Sequence, residues 1–261
     1  MRSLSIAATG MVAQQTNVDV IANNIANMNT AGYKVRRPEF QDLLYQNQRR
    51  VGSASSDVGT IVPSGVQIGL GVRTASVYRI TLQGPLEVTD NPLDLAIQGD
   101  GYFRVALPNG DDAYTRAGSF QLSPQGAIVT ADGFTVQPQI VIPPEATEIS
   151  INPTGEVQVK LAGQVDPQNV GQLELTIFAN EGGLEALGNN LFAQTPSSGE
   201  PANAVPGTAG YGTLLQGYIE RSNVDPVKEI TNLITAQRAY EMNSKVITAS
   251  DEMYSTVTKL R

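Results

Sequence analysis

The chain has 261 residues and a formal net charge of −8, and it contains neither cysteine nor histidine. These two absences exclude a disulfide framework, a thiolate nucleophile, an imidazole base and the usual zinc site. The acidic residues concentrate in 76–224, where sixteen acidic residues accompany five basic ones, whereas 28–75 holds six basic and three acidic residues. No segment has the basic patch typical of nucleic-acid binding, so we expect no nucleic-acid partner.

The first 27 residues predict an amphipathic helix, because apolar residues recur there at helical spacing. That seam contains Leu4, Ala7, Met11, Val18, Ile21 and Ile25. The polar face is almost uncharged and holds amides, among them Asn23, Asn24 and Asn27, which suit a place where several helix faces meet. The seam runs past any cleavage point, so we expect export without a cleaved signal peptide, and no run is long enough for membrane insertion.

After this helix, residues 31–75 mix charged residues with loop formers. Composition favours a flexible linker. Only Val66, Ile68, Leu70 and Val72 alternate with other residue types, which predicts one half-buried strand over 66–72.

Residues 76–224 predict a mainly β domain, because short alternating segments are separated by turn signals such as Asp100-Gly101 and Asn109-Gly110. Phe103/Val105 and Val157/Val159 are examples of the alternation. The sequence 99–101 (GDG) lacks the further glycine of a nucleotide-binding fingerprint, so we interpret it as a turn and expect no cofactor. Residues 184–187 predict a short helical turn closed by Gly188.

No catalytic site emerges from this pattern. The adjacent acids Asp111-Asp112 and Asp251-Glu252 point in different directions on a strand or a helix. We therefore predict that the chain is not an enzyme and binds no metal.

The last segment, 225–261, predicts a long helix that begins with an Asp225 N-cap and Pro226 at the first helical position. Its apolar residues form two adjacent stripes at spacings of three, four and seven. One stripe contains Leu233, Ala236, Tyr240 and Ile247, and the other contains Met242, Val246, Ala249, Met253 and Leu260.

Two terminal helices with apolar seams need partners. They can pair with each other as an ordinary two-helix subdomain, or with the ends of neighbouring subunits, and the pattern alone does not choose. The sequence thus predicts a mixed fold, in which a mostly antiparallel β domain (76–224) is inserted between terminal helices (1–30 and 225–261) that pair in a coiled-coil-like inner domain.

Long motifs stand at both ends of the chain. Residues 22–34 read ANNIANMNTAGYK, residues 222–226 read SNVDP, and residues 233–247 read LITAQRAYEMNSKVI. These motifs resemble the bacterial flagellar rod and hook axial protein family. Between them, 93–103 (LDLAIQGDGYF) and 114–120 (YTRAGSF) are similar to the shared middle domain of that family. The length and residues 39–46 (EFQDLLYQ) are most similar to its distal rod members.

The resemblance implies a structural subunit that polymerises into a rigid helical tube, transmits torque and forms an export channel. It implies a homo-oligomer, further partners among rod, hook and ring (bushing) proteins and the flagellar export apparatus, and a location in the periplasm-spanning rod of the basal body. It also implies that 31–75 packs between subunits. We expect the subunit interface to include Leu4, Met11, Val18, Ile21, Asn23, Asn24, Ile25, Asn27, Leu233, Tyr240, Ile247 and Met253.

Two alternatives remain open at this stage. One is a sibling axial protein of the proximal rod or the hook, although the hook protein usually carries a further domain for which this chain has no room. The other, from a different class, is a secreted adhesin or carbohydrate-binding protein that uses the β domain for its ligand.

Overall fold

The computed structural model describes residues 2–49, 64–164 and 166–259, the side chain of Val257 excepted. It divides into two compact units. We call the first the helical unit, and it comprises Met1–Ile25, Arg36–Tyr78 and Asp225–Arg261. We call the second the β unit, and it comprises Ala26–Val35 and Arg79–Val224.

The helical unit contains the two predicted terminal helices. Helix α1 spans Arg2–Ala26 and helix α2 spans Pro226–Lys259. The Asp225 carboxylate accepts hydrogen bonds from the backbone N–H groups of Val227 at 3.0 Å and Lys228 at 3.3 Å, so it caps α2 as predicted. Past the end of α1, Gly32 has φ +69°, the left-handed conformation that a glycine accepts without strain. Both helix predictions are confirmed.

Most of the remaining described part of the helical unit is a two-stranded ribbon, which we define as residues 36–49 and 66–78. Its strands are β1 (Arg36–Asp42), β2 (Tyr45–Arg49), β3 (Val66–Gly69) and β4 (Val72–Arg79). Strand β1 pairs with β4, and β2 pairs antiparallel with β3. Between the two pairs, Leu43 N donates to Gly71 O at 2.8 Å and Leu70 N donates to Leu44 O at 3.1 Å, which keeps the ribbon continuous.

The prediction of a single strand over 66–72 is wrong in one respect. The strand stops at Gly69 and resumes at Val72, because Gly71 adopts φ +123°. A Cβ at Gly71 would lie 2.1 Å from Thr9 Oγ1, so the backbone approaches α1 closely there. The serine-rich residues 52–57 lie outside the described residues.

The β unit consists of short strands and one 3-10 turn at Glu181–Gly183. The strands are β5 (Leu86–Val88), β6 (Leu95–Gln98), β7 (Phe103–Ala106), β8 (Asp112–Thr115), β9 (Gln121–Leu122), β10 (Ile128–Val129), β11 (Thr135–Gln137), β12 (Ala146–Ile151), β13 (Glu156–Leu161), β14 (Gln168–Gln172), β15 (Leu175–Ile177), β16 (Glu185–Gly188), β17 (Leu191–Ala193), β18 (Ala202–Ala204), β19 (Thr213–Gln216) and β20 (Tyr218–Glu220).

These strands form one larger sheet and several small ones. The larger sheet has the order β16-β17-β8-β7-β11-β10-β9, and β12-β13-β14 form a second sheet. The remaining pairs are β15 with β18, β19 with β6, and β20 with β5. The pairings described for this unit are antiparallel, which confirms the predicted β middle.

The larger of two apolar clusters among the described residues is the main core of the β unit. Phe103 and Val105 point into it from β7, and Val157 and Val159 do so from β13, as the alternation predicts. Strand β6 departs from alternation, because Leu95, Ala96 and Ile97 are all buried. A strand covered on both faces gives a continuous apolar run.

The predicted helical turn at 184–187 is wrong. Leu184 is extended (φ −67°, ψ 133°), and β16 follows it and pairs with β17. Asn189 and Asn190, with φ 51° and 60°, form the two-residue turn of that hairpin. Consecutive asparagines at positive φ are a hairpin signal, and here they outweigh the helix-forming residues before them.

Candidate assembly surface on the terminal helices

Helices α1 and α2 touch at two points along their length. Asn24 Nδ2 donates a hydrogen bond of 3.1 Å to Glu229 Oε2. A Cβ built on Gly10 would lie 3.0 Å from Asn243 Nδ2. Since the residue number falls on α1 while it rises on α2, the two helices run antiparallel.

The buried positions of the two helices are mostly small or polar. They are Ala7, Ala13, Ile21 and Asn24 on α1, and Glu229, Ala236 and Ser250 on α2. Small side chains let two helices approach closely but bury little apolar area. Large apolar side chains therefore remain for other faces of the pair.

The predicted interface residues have three kinds of environment in this single chain. Ile21 and Asn24 are buried. The half-buried residues are Leu4, Met11, Val18, Ile25, Asn27, Leu233 and Ile247. Asn23, Tyr240 and Met253 are exposed. The structure thus brings part of the predicted set together within the chain and leaves the rest of it partly or fully open.

Helix α2 carries more exposed apolar surface than the sequence analysis assigned to the interface. Its exposed large apolar residues, between 41% and 75% accessible, are Val227, Ile230, Ile234, Tyr240, Met242, Val246, Met253 and Tyr254. We call Met242, Val246 and Met253 the exposed stripe, and they belong to the second predicted stripe. Val227, Ile230 and Ile234 were missed, although their spacing of three and four was a usable signal.

A groove of about 440 Å³ opens between α1 and α2 near the middle of their contact. It is lined by Gln15 and Val18 of α1 and by Gln237, Tyr240 and Glu241 of α2. The lining combines apolar and amide groups. Such a groove can accept a side chain from another molecule.

The ribbon also exposes apolar side chains. Leu44 is 82% accessible, and Tyr45, Val66, Leu70, Val77 and Tyr78 are exposed as well. An isolated two-stranded ribbon is marginally stable in water, and contiguous exposed apolar groups mark interaction sites. The sequence analysis named Val66 and Leu70 only as part of a half-buried strand, and it assigned none of these side chains to the subunit interface.

A buried ion cluster lies in the β unit. Glu220 Oε1 accepts from Lys34 Nζ at 2.5 Å and from Gly84 N at 2.8 Å, while Glu220 Oε2 accepts from Arg116 Nε at 2.6 Å. Burial raises the pKa of Glu220, but the charges of Arg116 and Lys34 and their hydrogen bonds outweigh burial, so the pKa lies below its usual value.

Arg116 explains the glycine turn at 99–101. Its guanidinium donates to Gly99 O and to Gly101 O, each at 2.5 Å. The turn therefore presents carbonyl oxygens to a cation, whereas a phosphate-binding loop presents N–H groups to an anion. This confirms the interpretation as a turn. The residues of the cluster were missed as a group, because they are far apart in the chain.

Two features are absent from the described residues. No group of three or more histidine, cysteine, aspartate or glutamate side chains there could hold a metal ion. Neither helix of that part of the chain is long and apolar enough to cross a membrane.

Three family models match the chain in order. Residues 4–34 match the model described as "Flagella basal body rod protein", residues 96–159 match "Flagellar hook protein FlgE/F/G D1 domain", and residues 215–260 match "Flagellar basal body rod FlgEFG protein C-terminal". The matched ends include most of α1 and all of α2, which carry the surface described above.

Relatives align along the whole chain. The flagellar basal-body rod protein FlgG of Caulobacter vibrioides is 61% identical over 261 residues, which is 100% of both chains. The protein of the same name from Agrobacterium fabrum is 55% identical over 99% of both chains. The one from Bacillus subtilis is 40% identical over 100% of this chain and 99% of its own. This chain therefore belongs to the family of bacterial flagellar basal-body rod proteins.

Proposed function

We propose that this protein is a structural subunit of the flagellar distal rod and that it polymerises with further copies of itself into a rigid helical tube. One observation of the molecule carries the proposal. The exposed stripe of α2 leaves Met242, Val246 and Met253 at 61%, 47% and 62% accessibility in the isolated chain. Exposed apolar stripes of this kind are covered in an assembly.

The assembly mechanism follows from the shape of the contacts. The paired α1 and α2 form a coiled-coil-like inner domain, and their open faces meet neighbouring subunits. A contact between two different surfaces that does not close into a ring generates an open helical array. The terminal helices then line the inner tube, which serves as the export channel.

The interface residues divide between two contacts in this proposal. Ile21, Asn24 and the half-buried residues within the two helices hold the helix pair together within a subunit. Tyr240 and Met253 face a neighbouring subunit, Asn23 and Asn27 add polar specificity, and the ribbon packs between subunits. The groove lined by Val18 and Tyr240 accepts a side chain from the next copy.

The remaining parts of the proposal concern the cell. The rod spans the periplasm, transmits torque, and contacts other rod proteins, the hook and the ring proteins that act as its bushing. The subunit reaches its place through the flagellar export apparatus. A structural role without catalysis, cofactor or metal completes the proposal.

The test replaces the exposed stripe in a strain that lacks its own rod protein. Met242→Glu with Val246→Glu puts charge on a surface that assembly must dehydrate. We expect motility in soft agar to be lost and electron microscopy of basal bodies to show no distal rods. The purified variant should melt at the temperature of the unaltered chain, because both positions are exposed in it.

The matched control keeps both positions apolar. Met242→Leu with Val246→Ile preserves apolar character and approximate volume, so motility should be retained. Normal rods from the glutamate variant would contradict the proposal. Loss of motility in the leucine and isoleucine variant would indicate that side-chain shape at these positions matters beyond polarity.

A further inference from the structure

Asn24 lies where three segments of the helical unit meet. Its Oδ1 accepts a hydrogen bond from Arg36 N at 2.9 Å. Its Nδ2 donates to Arg36 O at 2.9 Å and to Glu229 Oε2 at 3.1 Å. Asn24 is 1% accessible and Glu229 is 7% accessible, so the bond between them is shielded from water, whereas the two bonds to Arg36 are partly buried.

The two bonds to Arg36 hold the amide of Asn24 in one orientation. The amide pairs with the N–H and C=O groups of Arg36 as a neighbouring strand would. The other N–H of Asn24 Nδ2 then points at one position on α2, Glu229. Because the amide is oriented in advance, little freedom is lost when Glu229 binds it. If Glu229 lost the hydrogen bond from Asn24, its buried carboxylate would lack this donor, and the folded state would be destabilised.

The residues at the contact between α1 and α2 repeat along both helices at the same spacing. Positions that face α1 recur on α2 every seven residues, at Glu229, Ala236, Asn243 and Ser250. Positions seven apart on α1 are Asn24, Asn17, Gly10 and Ser3. The two observed contacts, Asn24 with Glu229 and Gly10 with Asn243, belong to the same alignment of these two series.

Contacts between small side chains permit the two helices to slip by seven residues relative to each other. Gly10 could face Ala236 or Ser250 as easily as Asn243, because a glycine restricts its neighbour little. Buried polar pairs set register in helix pairs where small or uniform apolar layers cannot. Something other than the small residues must therefore select the observed alignment.

We propose that Asn24 and Glu229 set the register in which α1 and α2 pair, with the Arg36 backbone holding Asn24 in position. This inference rests on the helix pairing in the proposed function and adds what determines its alignment. In one slipped register Glu229 would meet Asn17, also an amide. Asn17 lies within α1 beside Gln14 and has no strand backbone to orient it, so the slipped pair forms a weaker bond.

The absence of cysteine from the sequence makes the register measurable by introduced cysteine pairs. A disulfide requires Cβ atoms about 3.5–4.5 Å apart. Gly10→Cys with Asn243→Cys reports the observed register, and Gly10→Cys with either Ala236→Cys or Ser250→Cys reports a slip of one heptad. The purified full chain is oxidised at low concentration, and non-reducing gels with mass spectrometry follow bond formation within one chain.

In the otherwise unaltered chain, we expect the observed-register pair to form at least about tenfold faster than either slipped pair. In a chain that also carries Asn24→Leu and Glu229→Leu, we expect this ratio to fall to within about threefold, because the leucines pair without a directional bond. Ala22→Leu with Asn232→Leu is the control, since both positions are exposed and the ratio should stay unchanged.

A second comparison separates register from general stability. Asn24→Asp places a carboxylate against Glu229, so the ratio should fall. Adding Glu229→Gln restores a donor opposite that carboxylate, which still accepts from Arg36 N, and the ratio should recover. If the leucine variant fails to fold, this comparison decides alone, and equal ratios with and without Glu229→Gln overturn the proposal.

The outcomes also separate this inference from the proposed function. An undiminished ratio in a folded leucine variant overturns the register role while leaving the helix pairing intact. If the observed-register pair forms no faster than the slipped pairs in the unaltered chain, the helices do not pair as proposed, and the inner domain of the proposed rod is contradicted as well.

Discussion

Lys34 and Glu220 form an ion pair of 2.5 Å although 186 positions separate them in the chain. Arg116 completes the cluster from a third segment at 2.6 Å. The three side chains are at most 5% accessible, so the cluster exists only when the β unit has brought its first and last segments together. The ion pairs of the cluster therefore form only when the β unit folds.

Removing the shared carboxylate should destabilise the β unit strongly. Glu220→Gln leaves Lys34 and Arg116 as buried cations without their counter-ion, and breaking a buried pair costs about 3–5 kcal/mol. We expect a clear fall in the free energy of unfolding, measured by urea denaturation of the purified chain. Glu87→Gln is the control, since Glu87 pairs with Arg221 at the surface and should change stability by at most about 1 kcal/mol. If Glu220→Gln and Glu87→Gln lowered the free energy of unfolding equally, burial of the Glu220 ion pairs would not explain the effect.

Acid should weaken the same unit for a related reason. The folded pKa of Glu220 is depressed, so the carboxylate stabilises the fold above its unfolded pKa, and this contribution is lost as pH falls through the folded pKa. We expect stability to decrease progressively below the ordinary glutamate pKa of 4.5. Urea denaturation of the unaltered chain and of Glu220→Gln across this pH range should show a shallower decline in the variant. Parallel curves would show that other carboxylates cause the acid sensitivity.

Local signals predicted the parts of the fold that depend on neighbouring residues. Asp225-Pro226 marks the start of α2, and the alternation at Phe103/Val105 marks an inward face, because caps and pleats involve residues a few positions apart. Residues 184–187 show where this reasoning fails. Helix-forming residues there lie in a strand, because the Asn189-Asn190 turn pairs them with β17.

The sequence did not predict the contacts between residues that are far apart in the chain. Nothing near Lys34, Arg116 or Glu220 in the chain indicates that they meet, because the meeting depends on how three distant segments pack. The stripes of α2 were visible in the sequence, but which of them α1 covers depends on register. The sequence predicts Asn24 as an interface residue because it is an amide on a helix face. The structure adds the Arg36 backbone and Glu229 as its partners.

Replacing Gly118 should destabilise the β unit, because there is no space for a side chain at this position. A Cβ there would lie 1.6 Å from the carbonyl oxygen of Leu95, and that backbone cannot move away, since Leu95 N is bonded to Gly118 O at 2.9 Å. We expect Gly118→Ala to lower the free energy of unfolding by about 1–3 kcal/mol or more. Thermal melting of the purified chain measures this effect.

Gly182→Ala is the matched control for that experiment. The nearest atom to its Cβ would be the Asn180 side-chain oxygen at 3.3 Å, which can move aside. We expect a change within about 0.5 kcal/mol, typical of a surface substitution. A Gly118→Ala chain as stable as the Gly182→Ala chain would mean that the backbone at Leu95 yields more easily than its bonding indicates.

The ribbon should matter for assembly more than for the stability of the single chain. Leu44 and Leu70 are 82% and 39% accessible and adjoin through the bond from Leu70 N to Leu44 O. Leu44→Gln with Leu70→Gln should leave the melting temperature of the purified chain nearly unchanged, because little apolar surface is exposed anew. In cells that lack their own rod protein, the same variant should assemble fewer or shorter rods, because packing between subunits buries these positions. Leu44→Ile with Leu70→Ile keeps the apolar surface on a strand and should assemble normally. Rods of normal number and length from the glutamine variant would show that these side chains stay in water in the assembly, and the ribbon would then contact its neighbours through other groups.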